Sequence, residues 1–269
     1  MECYGLLGEK LSHSLSPKLH KHIFEELNIK GDYRLFEVKR EDINDFMNSL
    51  KSSNIKGINV TIPYKEVVIK YLDELSREAK KIGAINTIFN KNGKLVGYNT
   101  DYYGFKYMLE DKHICVKNKR VTVLGTGGAS KAVIQYLLDE ESLEINLVSR
   151  TEKKLYTDEE KIKVIIYDDI NNKSGDIIIN TTPVGMFPNN DFLPVSEEII
   201  KKYDVLVDLI YNPLETKFIK LGIKNNKIVC GGLMMLVGQA IKAEEIWQER
   251  SIDKKVIIEI YKRLINNFK

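Results

Sequence analysis

Three cysteines, Cys3, Cys115 and Cys230, are scattered over 269 residues. An odd number at such long gaps, with no C-x-x-C, excludes a disulfide framework and fits a reducing compartment. Neither sign of charge dominates. Lys+Arg number 41 and Asp+Glu 38, a formal net charge of +3 with no concentrated basic face, so a nucleic-acid partner is not expected. The longest apolar stretch near the C-terminus, around Leu233 to Ile241, falls far short of the ~20 residues that span a bilayer. The start, Met1-Glu2-Cys3-Tyr4-Gly5, has no basic and apolar succession typical of a secretion signal, and a cytoplasmic protein is expected. Histidine is scarce too. His20 and His22 lie two apart, point away from each other on a helix, and make no ligand pair. H-E-x-x-H and G-x-S-x-G are both absent, so no metal site or serine nucleophile is read. The single Trp247 sits among apolar helical neighbours and reads as core. No repeat or low-complexity segment is present.

What remains is an ordinary soluble composition, 43% hydrophobic and 29% charged, long enough for one large or two modest domains. Short β-branched runs alternate with helix-length amphipathic segments, the pattern of an α/β fold with mainly parallel strands. In the first third, strands are expected at Cys3–Leu7, Tyr33–Val38 and Gly57–Thr61. The first helix is expected to take Ser16 as N-cap and Pro17 as its first residue, with Leu19, Ile23 and Leu27 on one face. A second covers about 41–50, and a third begins near Pro63. Runs at Ile85–Phe89 and Lys94–Tyr98 flank Asn90-Lys91-Asn92-Gly93 and read as a hairpin. From Lys119 a new alternation supplies strands at 120–124, 144–148, 163–166, 176–180, 205–209 and 227–230, the number and spacing of a doubly wound, Rossmann-like nucleotide-binding sheet. Two helices, about 233–250 and 253–266, close the chain and fit with either half.

Arg120-Val121-Thr122-Val123-Leu124 runs into Gly125-Thr126-Gly127-Gly128-Ala129-Ser130 and then a helical pattern, the strand–loop–helix setting of a dinucleotide site. Glycines let the backbone approach a pyrophosphate, whose charge rests on helix N–H groups. Ser130 replaces the usual third glycine or alanine. After the next strand come Ser149-Arg150-Thr151, with Lys153 and Lys154, where a carboxylate would hold the ribose 2′-hydroxyl of NAD. A guanidinium forks onto a 2′-phosphate, so the sequence favours NADP.

In the first half, Ser14 and Ser16 project to one side of an extended loop and offer two hydroxyls to a carboxylate, or else simply cap a helix. Thr61 and Lys65 lie at the C-terminal end of a strand, where ligands collect in α/β sheets. A lysine in a first helical turn opposes the dipole, although a solvated surface lysine is the plainer reading. Asn86 and Asp101 sit at the two ends of the hairpin region, where Asp101 also reads as a helix N-cap. Were Lys65 and Asp101 to meet, each would stabilise the other's charge and the lysine would be held as a proton donor.

Eight ordered segments then carry a resemblance over essentially the whole chain: Ser14-Leu15-Ser16-Pro17, Asn59 to Lys65, Gly83 to Thr87, Gly97 to Asp101, the loop from Gly125, Asn180 to Met186, Asp208 to Pro213 with Thr216, and Gly232 to Val237 with Gln239-Ala240. The sequence resembles the shikimate dehydrogenase family. The resemblance implies an NADP-dependent oxidoreductase that reversibly reduces 3-dehydroshikimate to shikimate in aromatic amino-acid biosynthesis. It implies a substrate-binding catalytic domain, 1–100 plus 236–269, and an NADP-binding domain, 101–235. Lys65 and Asp101 are the implied catalytic pair. Ser14, Ser16, Thr61, Asn86, Tyr211 and Gln239 are the implied substrate contacts. Gly125, Thr126, Gly127, Gly128, Ala129, Ser130, Ser149, Arg150, Thr151, Lys154, Leu209 and Gly232 are the implied cofactor lining. The partner is a small molecule, no metal is expected, and a homodimer is left open. Two rivals stand beside this reading: a quinate/shikimate dehydrogenase relaxed towards NAD, and a non-catalytic NADP-binding sensor.

Overall fold

A computed structural model of the chain describes residues 1–12, 14–151 and 160–266. The chain divides into two compact units: Met1–Gly104 with the described residues from Val237 onward, and Phe105–Leu236. The first unit contains β1 (Glu2–Gly8), α1 (Ser16–Leu27), β2 (Gly31–Glu37), α2 (Ile43–Ser52), β3 (Ile55–Val60), β4 (Glu74–Leu75), α3 (Arg77–Ile82), β5 (Thr87–Lys91), β6 (Lys94–Tyr98) and the start of α4 (Thr100–Asp111). The second continues with β7 (Arg120–Leu124), α5 (Gly128–Asp139), β8 (Glu144–Ser149), β9 (Ile162–Ile166), β10 (Ile177–Asn180), α6 (Glu197–Ile200), β11 (Val205–Asp208), α7 (Lys217–Lys224), β12 (Ile228–Cys230) and the start of α8 (Leu233–Trp247). The rest of α8 and α9 (Lys254–Ile265) return to the first unit.

Among the described residues, the first unit forms a six-stranded sheet in the order β2-β1-β3-β5-β6-β4. β1 pairs in parallel with β2 and β3, β5 runs antiparallel to both β3 and β6, and β4 is parallel to β6. One face carries Leu7, Met47, Leu50, Ile58, Val60 and Ile88; a second cluster joins Tyr4, Phe24, Phe89 and Ala243 to Trp247. Trp247 is core, as its neighbours suggest, with its indole N–H bonded to the Ile88 carbonyl at 3.0 Å. Gly57 permits this approach, since a Cβ there would lie 2.2 Å from Trp247 Nε1. On α9, Arg263 pairs with Glu26 of α1 at 2.6 Å. The second unit's sheet is wholly parallel, in the order β12-β11-β10-β7-β8-β9. The order reverses between β7 and β10, which is where a doubly wound sheet opens its ligand crevice.

Several local expectations need correction. Ser16 is not the N-cap of α1: Leu15 is already helical, no side chain caps it, and Leu19 N–H bonds to the Leu15 carbonyl at 2.9 Å. No α-helix begins near Pro63. Ile85 N–H takes the Lys65 carbonyl at 2.8 Å, Tyr64 donates its hydroxyl to the Val38 carbonyl, and only a 3₁₀ turn follows at Val67–Tyr71. The dipole argument for Lys65 therefore lapses. The hairpin is tighter than expected: Lys91 pairs with Lys94 around Asn92-Gly93, both at positive φ as a two-residue type I′ turn needs. Asp101 is not a cap either. It sits inside α4, and the Asn99 side chain accepts the Tyr102 N–H at 3.4 Å. The short β4 and α3 were not anticipated.

Candidate functional site

Strand order brings the first unit's polar residues together. β5 lies between β3 and β6, so the segments leaving β3 and β6 end up beside the one entering β5. Asn86 N–H bonds to the Tyr98 carbonyl, and Val60 N–H to the Asn86 carbonyl. Lys65, after β3, reaches Asp101, at the start of α4, with Nζ 2.5 Å from Oδ2. Their side chains retain 17% and 12% exposure, so the pair is partly shielded yet still open to a small molecule. Asp101 Oδ1 accepts Asn86 Nδ2 at 2.9 Å. The orientation of that amide is forced. Its other end faces the Thr100 backbone N–H at 2.6 Å, a group that only donates, so that atom is the oxygen. Thr100 and Thr87 hydroxyls add to the same oxygen at 3.1 and 3.2 Å. The carboxylate is thus held on both oxygens, and the ammonium it faces has a fixed position.

Ser14 accepts the Ser16 N–H on its hydroxyl oxygen at 3.2 Å. Ser16 is the first residue of α1 and is half-buried. Thr61 directly follows β3, its N–H on the Leu7 carbonyl. Gln239 is a half-buried residue of α8 within the first unit. Tyr211 belongs to the second unit, where burial raises its phenol above the ordinary range.

The second unit's candidates gather at the C-terminal ends of its strands. Gly125 follows β7 at φ +101°, a conformation L side chains rarely adopt, and a Cβ there would meet Thr182 Cγ2 at 2.8 Å. Gly127 is the N-cap of α5 with no side-chain cap, and a Cβ on it would meet nothing within 4 Å. No acidic residue lies in the first turn of α5. An uncapped helix N-terminus with open space above its cap residue suits a phosphate group. Ser130 is compatible with this loop because its hydroxyl turns back onto the Gly127 carbonyl at 2.6 Å. Ser149 is buried and accepts the Thr151 N–H at 3.4 Å, while Arg150 and Thr151 are exposed just beyond β8. Leu209 and Gly232 come together, since a Cβ on Gly232 would lie 2.1 Å from the Leu209 carbonyl oxygen. Lys153 and Lys154 lie outside the described residues.

Residue-level reading of the sequence overlooked the groups that hold these loops. Asn180 and Asp208 end the neighbouring strands β10 and β11, joined Nδ2 to Oδ1 at 3.0 Å. Asp208 also takes the Ile210 N–H at 3.1 Å and the Thr216 hydroxyl at 2.6 Å, anchoring the segment that carries Leu209 and Tyr211. Its burial raises the carboxyl to about 6, against those three hydrogen bonds. The signal was available: each is a polar residue closing a run of buried apolar ones. Among the described residues, no group of three or more His, Cys, Asp or Glu side chains could hold a metal ion. All three cysteines are free.

Comparison with known proteins agrees with this layout. Residues 6–88 match the model of the shikimate dehydrogenase substrate binding domain. The shikimate dehydrogenase (NADP(+)) of Clostridium beijerinckii is 54% identical, with all of both chains covered. The chain belongs to the shikimate dehydrogenase family. Among solved structures, shikimate dehydrogenase 1 of Peptoclostridium difficile superposes with a TM-score of 0.94 at 47% identity, covering 100% of this chain and 99% of that one. The Thermus thermophilus family member, solved with NADP(H) and shikimate, gives 0.86 at 30% identity over 98% and 99%. The mixed α/β fold in two units and the parallel nucleotide-type sheet are those of the family.

Proposed function

We propose that this protein is an NADP-dependent shikimate dehydrogenase, catalysing the reversible reduction of 3-dehydroshikimate to shikimate on the route to chorismate and the aromatic amino acids. The observation that carries the reading is the Lys65–Asp101 contact at 2.5 Å, with Asn86 on the second carboxylate oxygen, in a chain that belongs to the shikimate dehydrogenase family. NADPH, when bound, supplies the hydride. As a ketone carbon accepts it, the oxygen gains alkoxide character and needs a proton at that moment; Lys65 Nζ is the group placed to give it. Asp101 keeps the ammonium aimed and compensates its charge. In the oxidative direction the same amine takes the proton back.

Ser14 and Ser16 hydroxyls would take the substrate carboxylate, and Thr61, Asn86, Gln239 and Tyr211 the ring hydroxyls. A site built of hydroxyls and amides discriminates strongly, because a missing partner leaves a buried polar group unpaired. On the nucleotide side, the α5 N-terminus with Gly125 to Ser130 would hold the pyrophosphate. Leu209 and Gly232 would line the bound nucleotide. Arg150, with Ser149, Thr151 and Lys154, would take the 2′-phosphate. The first unit is then the substrate-binding catalytic domain and the second the NADP-binding domain. We place the protein in the cytoplasm; among the described residues no helix is long and apolar enough to cross a membrane. The deciding experiment is NADP+ reduction by purified protein with shikimate, followed at 340 nm, with quinate and NAD+ as parallel arms. Turnover with shikimate and NADP+ supports the reading. A preference for quinate or NAD+ moves it to the relaxed dehydrogenase, and binding of NADPH without turnover to a sensor.

A further inference from the structure

Behind the site, the first unit buries polar side chains that the proposed chemistry does not use. Glu244 of α8 and His20 of α1 are both fully buried, and Oε1 lies 2.7 Å from Nδ1. Gln248 donates to the other carboxylate oxygen at 3.3 Å, while His20 Nε2 has no partner among the described residues. Nδ1 faces the carboxylate oxygen and makes the contact that seats the ring. The imidazole lies flat on Tyr33, ring centroids 4.1 Å apart and planes 10° apart. Glu244, anchored in this way, fixes the ring on which Tyr33 stacks.

Tyr33 donates its hydroxyl to Asn59 Oδ1 at 2.7 Å. Burial, with the Glu244 charge nearby, holds the phenol well above its ordinary range, so it keeps its proton and remains a donor. With its oxygen committed to Tyr33, the Asn59 amide turns Nδ2 to Thr87 Oγ1 at 3.1 Å, its cross-strand partner between β3 and β5. Thr87 gives its one proton either to Asn86 Oδ1 at 3.2 Å or to the Thr100 hydroxyl at 3.1 Å, which lies 3.1 Å from that same oxygen, and Asn86 donates to Asp101. The links run in one sense: phenol to amide, amide to hydroxyl, hydroxyl to amide, amide to carboxylate. An apolar ring would fill the Tyr33 position equally well, so stacking alone does not call for a hydroxyl there. The hydroxyl has a different use.

We propose that Tyr33, held flat by the His20–Glu244 pair, is a positioning residue for proton transfer: through Asn59, Thr87 and Asn86 it fixes the Asp101 carboxylate that aims Lys65. The proposal rests on the dehydrogenase reading above. The test is a double-mutant cycle on the full-length protein with Tyr33→Phe, which keeps the ring, and Thr87→Val, which keeps the β-branched shape of the middle link. Initial rates are taken with shikimate varied at saturating NADP+ and the reverse, and thermal melting tracks the folded fraction. Y33F is expected to lower kcat about tenfold, the size of one partly buried hydrogen bond left broken, with the KM for NADP+ unchanged. In the T87V background Y33F should add nothing, because its route to Asp101 is already cut. A wild-type kcat in Y33F, a fall explained by lost folded protein, or two additive effects would each overturn the proposal. A wild type inert with shikimate and NADP+ sinks the functional reading itself, whereas an active wild type with an indifferent Y33F sinks only this inference.

Discussion

The two units present their candidate sites in different materials. In the first unit the site is made of side chains: Lys65, Asp101, Asn86, Thr87 and Thr100 form a bonded set in which the Asn86 amide has a defined orientation. In the second it is made mostly of backbone: a glycine turn, the uncapped start of α5, and the close passage of Gly232 by Leu209. Proton transfer needs a particular atom at a particular place, so it tolerates few substitutions. Anion binding needs N–H groups and empty space, so it admits a departure such as Ser130, provided that side chain folds away.

The contrast is sharpened most by removing the amine. Lys65→Ala should lower kcat by about 10²–10⁴-fold, the range for a lost general acid, while NADPH affinity by fluorescence titration stays at the wild-type value. Unchanged turnover would withdraw the role given to Lys65. The reciprocal variant is Gly127→Ala. Nothing lies within 4 Å of its Cβ position and its φ of −81° suits alanine, so the free protein should melt as wild type. The methyl group fills the space a phosphate would use, and NADPH affinity should fall about 10- to 100-fold, as for an overpacked contact. A G127A protein that binds NADPH normally would place the pyrophosphate elsewhere.

How legible each site was follows from the same difference. β7 was read at its observed ends, Arg120–Leu124, because an apolar run into glycines is a local signal. The meeting of Lys65 with Asp101 was not readable from spacing, since it depends on β5 inserting between β3 and β6. Family resemblance named those two residues; geometry alone left them a surface lysine and a helix cap. The cap reading failed because Asp101 lies inside α4, where Asn99 takes the Tyr102 N–H and Asn86 the Thr100 N–H, which leaves the Asp101 carboxylate to Lys65. A helix was expected to begin near Pro63, but a long-range hydrogen bond from Ile85 N–H to the Lys65 carbonyl diverts that segment. Asn59 and Tyr33 escaped notice because a polar residue inside a strand shows its partner only after the register is known.

A smaller effect tests the basic side of the nucleotide site. Arg150→Ala should weaken NADPH about tenfold and NADH little, the loss of one charge-assisted contact to a 2′-phosphate. Equal losses for both cofactors, measured by the same titration, would refute that contact. The residue is exposed, so stability should not change.

The smallest expected effect concerns Asp208, a buried carboxylate of the second unit that burial raises to about 6 from an ordinary 3.8. Between those two values the folded state binds more protons than the unfolded state, so this residue's contribution to stability improves as pH falls from 7 to 5 and is constant above the folded pKa. Linkage makes the gain about 1 kcal/mol over that interval, a few degrees in melting temperature at most. Asp208→Asn removes the titration and also weakens the acceptor for Ile210 N–H and the Thr216 hydroxyl. Wild type should therefore gain stability relative to D208N as the pH drops from 7 to 5, with D208N weaker for NADPH because the Leu209–Tyr211 segment loses its anchor. Parallel melting curves for the two proteins across that interval would show that Asp208 is not the group titrating. The loops of the second unit would then be held without a titrating Asp208, and the division between a side-chain site and a backbone site would be sharper.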